Sequence, residues 1–421
     1  MRNLGFSRRE LLIGLAALGA TPIKGVAGAA QSVRPQSNES VEYGQDTLPA
    51  GIRSRRVDNN NGITMHILEA GFEVPGRRFV VLLHGFPELA YTWRHQLLPL
   101  AAAGFHVIAP DLRGYGRTSI SPVRYDDDLL PYTILNRVSD ILGLTRALGF
   151  QKVAAVVGHD WGAPTAAWCA LARPDVFQSV VLMSTPFDGP DSLPLDTAHS
   201  RQASNAEADI QKDLAALPHP RKHYWWYSAT AGANDNMWHA RQGVHDLLRA
   251  MYYFKSADWK GNMPIVLRSW TASELAKMPA YYIMDLDKGI AETMAAEMPS
   301  AEQIAACQWM TEDDLRVYST EYIRTGFQGG LNSYRILTDA RYDAGLSSFS
   351  GRTIDVPCCF IGGVCDWGVR QSPGAFEGMQ HGACTRLLGV HLVEGAGHSI
   401  PEEQPGQTSK LLVDFLRRAK L

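Results

Sequence analysis

The chain has 421 residues, of which 45% are hydrophobic, and this is enough to bury one large core. Its formal net charge is -3 and its basic residues are scattered, so nucleic acid is not an expected partner. No apolar run reaches the length that crosses a bilayer, and no stable membrane span is expected.

Residues 1–30 have the layout of an export signal. The adjacent arginines Arg8–Arg9 precede an apolar run, which is followed by a segment of small residues. All three regions in this order are typical of a twin-arginine signal cleaved near Ala29 or Ala30, whereas an amphipathic tail or an uncleaved anchor fits them less well. We therefore expect a linker over 31–50 and a periplasmic or secreted mature protein.

Strand-like and helix-like segments alternate along the rest of the chain. Strands are predicted at 52–57, 63–68, 79–83, 106–108, 152–157, 179–183, 356–362 and 387–393. Helices are predicted at 93–103, 133–148, 163–172 and 405–419. Such alternation indicates an α/β fold with a mostly parallel eight-stranded sheet and helices on both faces.

A long interval interrupts this alternation, and a structureless loop of that length is implausible. We predict a core formed by 51–187 and 350–421, with a largely helical cap inserted over 188–349. The cap is rich in Trp and Tyr. Most of these aromatic side chains are expected to be core, and some to line an apolar pocket.

The six cysteines fit no zinc or redox spacing, so no metal site is expected. Most of them are expected to be small buried hydrophobes. An exported protein can form a disulfide, for instance between Cys365 and Cys384, but the sequence does not determine the pairing.

The segment Gly158–Gly162 has the sequence GHDWG, the frame of a nucleophile elbow with aspartate in place of serine. It lies between a predicted strand and an alanine-rich helix, as the motif requires, and glycine at both ends permits a tight turn. Asp160, with an ordinary pKa of about 4, is anionic at neutral pH. It can therefore displace a leaving group directly from an electrophilic carbon and form an alkyl ester.

Three further positions complete a site for hydrolysing that ester. The backbone N–H groups of Phe86 and Trp161 are predicted to form an oxyanion hole. Among 13 histidines, His398 is the predicted base because it follows the last strand. Asp366, after the penultimate strand, is predicted to orient it. The order nucleophile, acid, histidine agrees with the α/β-hydrolase order.

Five segments resemble the soluble epoxide hydrolases. They are His84–Glu88, Asp111–Gly116, Gly158–Gly162, Ser184–Phe187 and Gly326–Arg335. The resemblance implies an α/β-hydrolase fold and hydrolysis of a small apolar epoxide by water to a vicinal diol, without a cofactor. The stretch 189–279 is longer than its counterpart in compact members of that family, which leaves substrate size and access open.

The same resemblance implies that two cap tyrosines hold and protonate the epoxide oxygen. Tyr334 matches one of them and Tyr281 the other, although Tyr282 is an alternative because neighbours on a helix point in different directions. A phenol with a pKa near 10 remains a proton donor at neutral pH. Substrate-binding roles are expected for His84, Pro87, Tyr282 and Trp367.

Other functions remain open at this point. A haloalkane or haloacid dehalogenase uses the same Asp-His-Asp machinery, and Trp161 beside the nucleophile would then hold a halide. A non-catalytic binding protein of this fold would usually have lost part of the triad, and this chain keeps all of it. An esterase is disfavoured because no serine occupies the elbow. The oligomeric state is also open, a homodimer being one alternative.

Overall fold

The computed structural model describes residues 46–59, 61–119, 121–190, 210–342 and 345–420. The predicted export signal over 1–30 lies outside the described residues. The predicted linker over 31–50 is described only from residue 46 onward.

The described part of the chain forms ten strands. They are β1 (Arg53–Asp58), β2 (Thr64–Ala70), β3 (Arg78–Leu83), β4 (Phe105–Pro110), β5 (Ala155–His159), β6 (Val180–Met183), β7 (Arg221–His223), β8 (Ile283–Asp285), β9 (Cys358–Gly363) and β10 (Leu387–Val393). Eight of them make one sheet in the order β1-β2-β4-β3-β5-β6-β9-β10. β2 is antiparallel to both of its neighbours, and all other neighbours are parallel, which confirms the predicted sheet.

Burial along the strands follows their place in the sheet. Every residue of β5 and β6 is buried, because central parallel strands are covered on both faces. The edge strand β1 instead exposes Arg53 and Arg56, and charges at an edge oppose pairing with another chain. β5 begins later than predicted because Val153 makes only an isolated bridge to Phe177.

Helices pack against both faces of the sheet. The core helices are Arg94–Ala102, Ile134–Ala147, Gly162–Ala172, Ala375–Gly378, Ile400–Glu403 and Pro405–Arg418. The four predicted from sequence lie within one residue of their expected bounds. None of the helices in the described ranges is long and apolar enough to cross a membrane.

The segment between β6 and β9 carries a separate set of elements. Its helices are Tyr224–Ser228, Gly232–Trp238, Gly243–Lys255, Ala272–Leu275, Ile290–Ala295, Ala301–Ala306, Glu312–Thr325 and Gln328–Leu337, and residues 210–215 are also helical. β7 and β8 pair antiparallel within it. We refer to this segment as the cap.

The helical placement expected for Tyr281 and Tyr282 is wrong. Both residues lie in the turn that leads into β8. The backbone N–H groups of Tyr282 and Ile283 donate to the Pro279 carbonyl, at 2.9 and 3.1 Å. Proline before this turn and a following Ile-Met pair favour a turn and strand over a helix.

Phenol hydroxyls fasten the cap to the core. The Tyr252 hydroxyl donates to the Pro87 carbonyl at 2.8 Å, and the Tyr322 hydroxyl donates to the Glu88 carbonyl at 3.2 Å. Both phenols are buried, and leaving a buried donor unpaired costs about 1–3 kcal/mol. These two bonds therefore fix the cap against the loop that follows β3.

All six cysteines are free thiols. Cys384 hydrogen-bonds Cys358, so it faces the start of β9 and not the Cys365 partner considered from sequence.

Candidate active site

Asp160 occupies a strained turn at the end of β5. Its φ of 50° lies in the left-handed region, where side chains other than glycine are uncommon. A Cβ on Gly158 would lie 2.0 Å from the Gly162 carbonyl oxygen, and one on Gly162 would lie 2.2 Å from the Leu83 oxygen. Only glycine fits at both places, so the elbow can form and expose the aspartate side chain.

The loop after β3 brings a backbone donor to this carboxylate. The Phe86 N–H donates to Asp160 Oδ1 at 2.8 Å. A Cβ on Gly85 would lie 2.3 Å from the Asp160 Cβ, so glycine is needed for the close approach. Trp161 directly precedes the helix Gly162–Ala172, whose N-terminus favours negative charge. The arrangement suits an oxyanion that develops on Asp160.

His398 lies between two carboxylates. Its Nε2 is 3.2 Å from Asp160 Oδ2, and its Nδ1 is 3.0 Å from Asp366 Oδ1. Asp366 is buried and also accepts the Gly368 N–H at 2.7 Å. The structure thus brings together the three residues predicted as nucleophile, base and orienting acid.

Asp160 and Asp366 each shift the pKa of His398, and His398 shifts theirs. Burial would raise the pKa of Asp160, but His398, Lys255 and His159 hold it well below its ordinary range. Burial and Lys255 act to lower the pKa of His398, yet Asp366 and Asp160 raise it to about 9. At neutral pH the resting site therefore holds an aspartate carboxylate beside an imidazolium.

A second histidine supports the backbone of the first. His159 Nδ1 is 2.9 Å from Glu88 Oε2, and its Nε2 is 2.7 Å from the His398 carbonyl oxygen. The Ser184 hydroxyl also donates to that carbonyl, at 3.2 Å. His159 therefore supports the backbone at His398.

Both ring nitrogens of His84 have backbone partners. Its Nδ1 is 2.8 Å from the Gly85 carbonyl oxygen, and its Nε2 accepts the Leu112 N–H at 3.0 Å. The ring is fully buried, and burial lowers its pKa. Both nitrogens are used by backbone groups, so His84 joins the loop after β3 to the loop after β4.

Two cap tyrosines lie close enough to the nucleophile to sense its charge. Tyr334 lies on the helix Gln328–Leu337, and its ring centroid is 5.1 Å from that of Trp161. The phenols of Tyr281 and Tyr334 interact, and Tyr334 also interacts with the Trp161 side chain. Burial raises the pKa of both phenols, and the charge of Asp160 raises it further. Both remain protonated donors.

The remaining predicted residues are Tyr282, Trp367 and Pro87. Tyr282 is buried, with its ring centroid 6.4 Å from that of Trp367, the residue after Asp366. Pro87 presents its carbonyl to Tyr252. Tyr282 thus lies on the Asp366 side, whereas Tyr281 meets Tyr334.

Sequence reasoning missed two residues of the site. Tyr224 packs its ring 5.2 Å from Tyr281 and 5.7 Å from Tyr334, and its hydroxyl donates to Gln371 at 2.9 Å. Lys255 is buried with its Nζ 5.2 Å from the Tyr281 ring centroid. Burial lowers the pKa of Lys255, and Asp160, Asp366 and Glu88 oppose that change.

A signal for Lys255 exists in the sequence. Leu248, Met251 and Tyr252 form the buried face of the helix Gly243–Lys255, and Lys255 continues that face at helical spacing. A lysine in an apolar stripe marks a buried charge that needs partners.

In the ranges that the structure describes, no three His, Cys, Asp or Glu side chains are grouped so as to hold a metal ion.

Comparison with known proteins gives matches along most of the chain. A family model described as alpha/beta hydrolase fold matches residues 78–222. Epoxide hydrolase B of Mycobacterium tuberculosis is 32% identical over 363 residues, which is 86% of this chain and 97% of the relative. The structure of an epoxide hydrolase from an endophytic Streptomyces matches with a TM-score of 0.70 at 31% identity, covering 88% of this chain and 97% of that one. Potato (Solanum tuberosum) epoxide hydrolase I matches with a TM-score of 0.66 at 28% identity, covering 87% and 99%.

Proposed function

The chain belongs to the epoxide hydrolases of the α/β-hydrolase fold, and from this premise we propose that it works in two steps through an alkyl ester on Asp160. The observation that carries the proposal is the placement of that carboxylate. One oxygen lies 2.8 Å from the Phe86 nitrogen and the other lies 3.2 Å from His398 Nε2, and the charge of this carboxylate raises the pKa of the Tyr281 and Tyr334 phenols.

In the first step an oxygen of Asp160 attacks an epoxide carbon, and the bond between that carbon and the ring oxygen breaks. Tyr281 and Tyr334 donate hydrogen bonds to the ring oxygen, and one of them transfers its proton to it to form the hydroxyl group. The phenolate left behind takes up the proton of the His398 imidazolium, which leaves His398 neutral. Carboxylate attack needs no deprotonation because Asp160 is already ionised. The product is an ester between Asp160 and a 2-hydroxyalkyl group.

In the second step His398 removes a proton from water, which attacks the ester carbonyl carbon. The Phe86 and Trp161 N–H groups stabilise the oxyanion, and losing one such donor typically slows a reaction by about 10²–10³-fold. Collapse releases the diol as the imidazolium passes its proton to the leaving oxygen, and the Asp160 carboxyl then gives its remaining proton to His398, which restores the carboxylate and the imidazolium. Asp366 holds the ring in place throughout.

A single turnover in water labelled with oxygen-18 tests this route. In the first turnover the new diol oxygen comes from Asp160, so the diol should be unlabelled and the Asp160 carboxylate should carry the label. Direct attack of activated water on the epoxide would label the diol at once and overturn the proposal. An Asp160→Asn variant should lose turnover.

The substrate class follows from the walls of the site. Tyr224, Tyr281 and Tyr334 pack into an aromatic cluster that contacts Trp161, the residue after the nucleophile, and this favours a small apolar epoxide. Tyr334 packs edge-to-face on Trp161 with ring centroids 5.1 Å apart, and its phenol offers the proton donor that an epoxide oxygen needs and a halide does not. Turnover of styrene oxide without halide release from a bromoalkane would separate this activity from dehalogenation.

Export is a further part of the proposal. The residues that support it are the paired Arg8–Arg9 and the small residues before Ala30. Cell fractionation should find the protein in the periplasm or medium. Replacing both arginines by lysine should retain it in the cytoplasm, and unchanged fractionation of that variant would contradict a twin-arginine route.

A further inference from the structure

Glu403 binds the backbone on both sides of the base. Its Oε2 accepts the Gly397 N–H at 2.8 Å, and its Oε1 accepts the Ser399 N–H at 2.9 Å. These two peptide groups flank His398. The carboxylate therefore sets the path of the loop through His398 while it lies outside the reacting groups.

The same carboxylate reaches the cap. Glu403 Oε2 also accepts the N–H of Ala257 at 2.9 Å. Ala257 belongs to the turn that follows the cap helix Gly243–Lys255. One side chain of the core thus joins the loop Gly397–Ser399, here called the base loop, to the turn Lys255–Ala257, here called the cap turn.

The base loop and the cap turn are in direct backbone contact as well. The His398 N–H donates to the Lys255 carbonyl at 2.8 Å. A Cβ on Gly397 would lie 2.3 Å from that carbonyl oxygen and 2.5 Å from the Ser256 carbonyl carbon, so only glycine permits the approach. The Asn262 amide donates to the Lys255 and Ser256 carbonyls, at 2.9 and 3.0 Å, and fixes the turn.

We propose that Glu403 is a positioning residue for ester hydrolysis, which places His398 over the ester by tying its loop to the cap turn Lys255–Ala257. Asp366 orients the imidazole ring, but the ring can reach the ester only if the peptide groups on either side are held. Asp160 takes its own position from β5 and the Phe86 N–H, neither of which Glu403 touches. The role rests on the proposed two-step reaction.

A Glu403→Gln variant isolates this role, because it keeps one acceptor oxygen but sets an amide NH2 against peptide N–H groups. Misplacing a catalytic group by about 1 Å can cost about 10²-fold, so decay of the alkyl-enzyme should slow by about that factor. Formation of the alkyl-enzyme should stay close to wild type. In steady state kcat and KM should fall together while kcat/KM is kept, since kcat/KM reports the first step.

Gln404→Ala is the matched control. The Gln404 amide donates to the Gly395 carbonyl at 2.9 Å. It therefore binds the same loop, but at a residue that does not flank His398. Rapid-quench measurement of alkyl-enzyme formation and decay with styrene oxide should separate the two variants, and Glu403→Asp, which keeps the carboxylate, should recover part of the decay rate.

Two results would overturn the role in distinguishable ways. If the ratio of the rates of alkyl-enzyme formation and decay in Glu403→Gln equals that of the wild type, Glu403 does not position the base, whatever the thermal stability of the variant. If the wild-type enzyme forms no alkyl-enzyme at all, the two-step reaction fails and this role fails with it.

Discussion

Replacing His398 by glutamine should stop the reaction after its first half. Glutamine is similar in size but does not accept a proton at neutral pH, so water is not activated. Asp160 keeps the Phe86 N–H at 2.8 Å, and Lys255 and His159, which also lower its pKa, stay in place. The nucleophile therefore remains ionised and able to attack.

The size of the rate effect depends on which of the two steps loses a catalytic group. A general base contributes about 10²–10⁴-fold, and hydrolysis should slow by that factor. Alkylation loses only an imidazolium 3.2 Å from the attacking carboxylate, a charge pair that stabilises the nucleophile before it reacts. The first step should change far less than the second, so one alkyl group per protein should accumulate.

Intact-mass measurement after mixing with styrene oxide checks this. The mass of His398→Gln should rise by one whole epoxide, and the increment should map to the peptide that contains Asp160. Asp160→Asn should show no increment under the same conditions. Wild-type turnover by His398→Gln, or an adduct on another residue, would refute the assignment of base and nucleophile.

Three other substitutions test the surrounding groups. Tyr334→Phe should lower kcat/KM by about 10²–10³-fold, because a donor to the developing alkoxide is lost while the ring remains. Lys255→Met removes a cation that lowers the pKa of His398, so the acidic limb of the hydrolysis rate should move to higher pH in stopped-flow profiles. Arg94→Met leaves its buried partner Glu402 uncompensated and should lower the free energy of unfolding in urea by about 3–5 kcal/mol. That loss should be greater above the pKa of Glu402, about 7, than below it.

The triad could be placed from the sequence because it depends on topology. Asp160 and Asp366 each follow a parallel strand, β5 and β9, and His398 follows β10. The carboxyl ends of parallel strands share one edge of the sheet, so residues far apart in sequence meet there. The glycines around Asp160 give a local signal for the turn itself, and the structure shows the close contacts that require them.

The cap could not be placed in the same way. Its elements are short, and aromatic residues such as Tyr224 and Tyr281 suit a core as well as a pocket, so tertiary contacts decide their roles. His84 stands in a recognisable motif, yet only the structure shows that backbone groups of Gly85 and Leu112 use both of its nitrogens. Sequence spacing carries no information about such partners.

The charges of the site link the two proposed steps. In the free protein Asp160 and Asp366 together hold the pKa of His398 at about 9, so the ring is protonated and is not a base at neutral pH. Esterification makes Asp160 neutral and removes one of those two attractions, while burial and Lys255 still act to lower the pKa. The histidine must then release its proton more readily. Alkylation of the nucleophile thereby favours the neutral imidazole that hydrolysis needs, and Lys255, which acts to lower the pKa of His398, favours the same change.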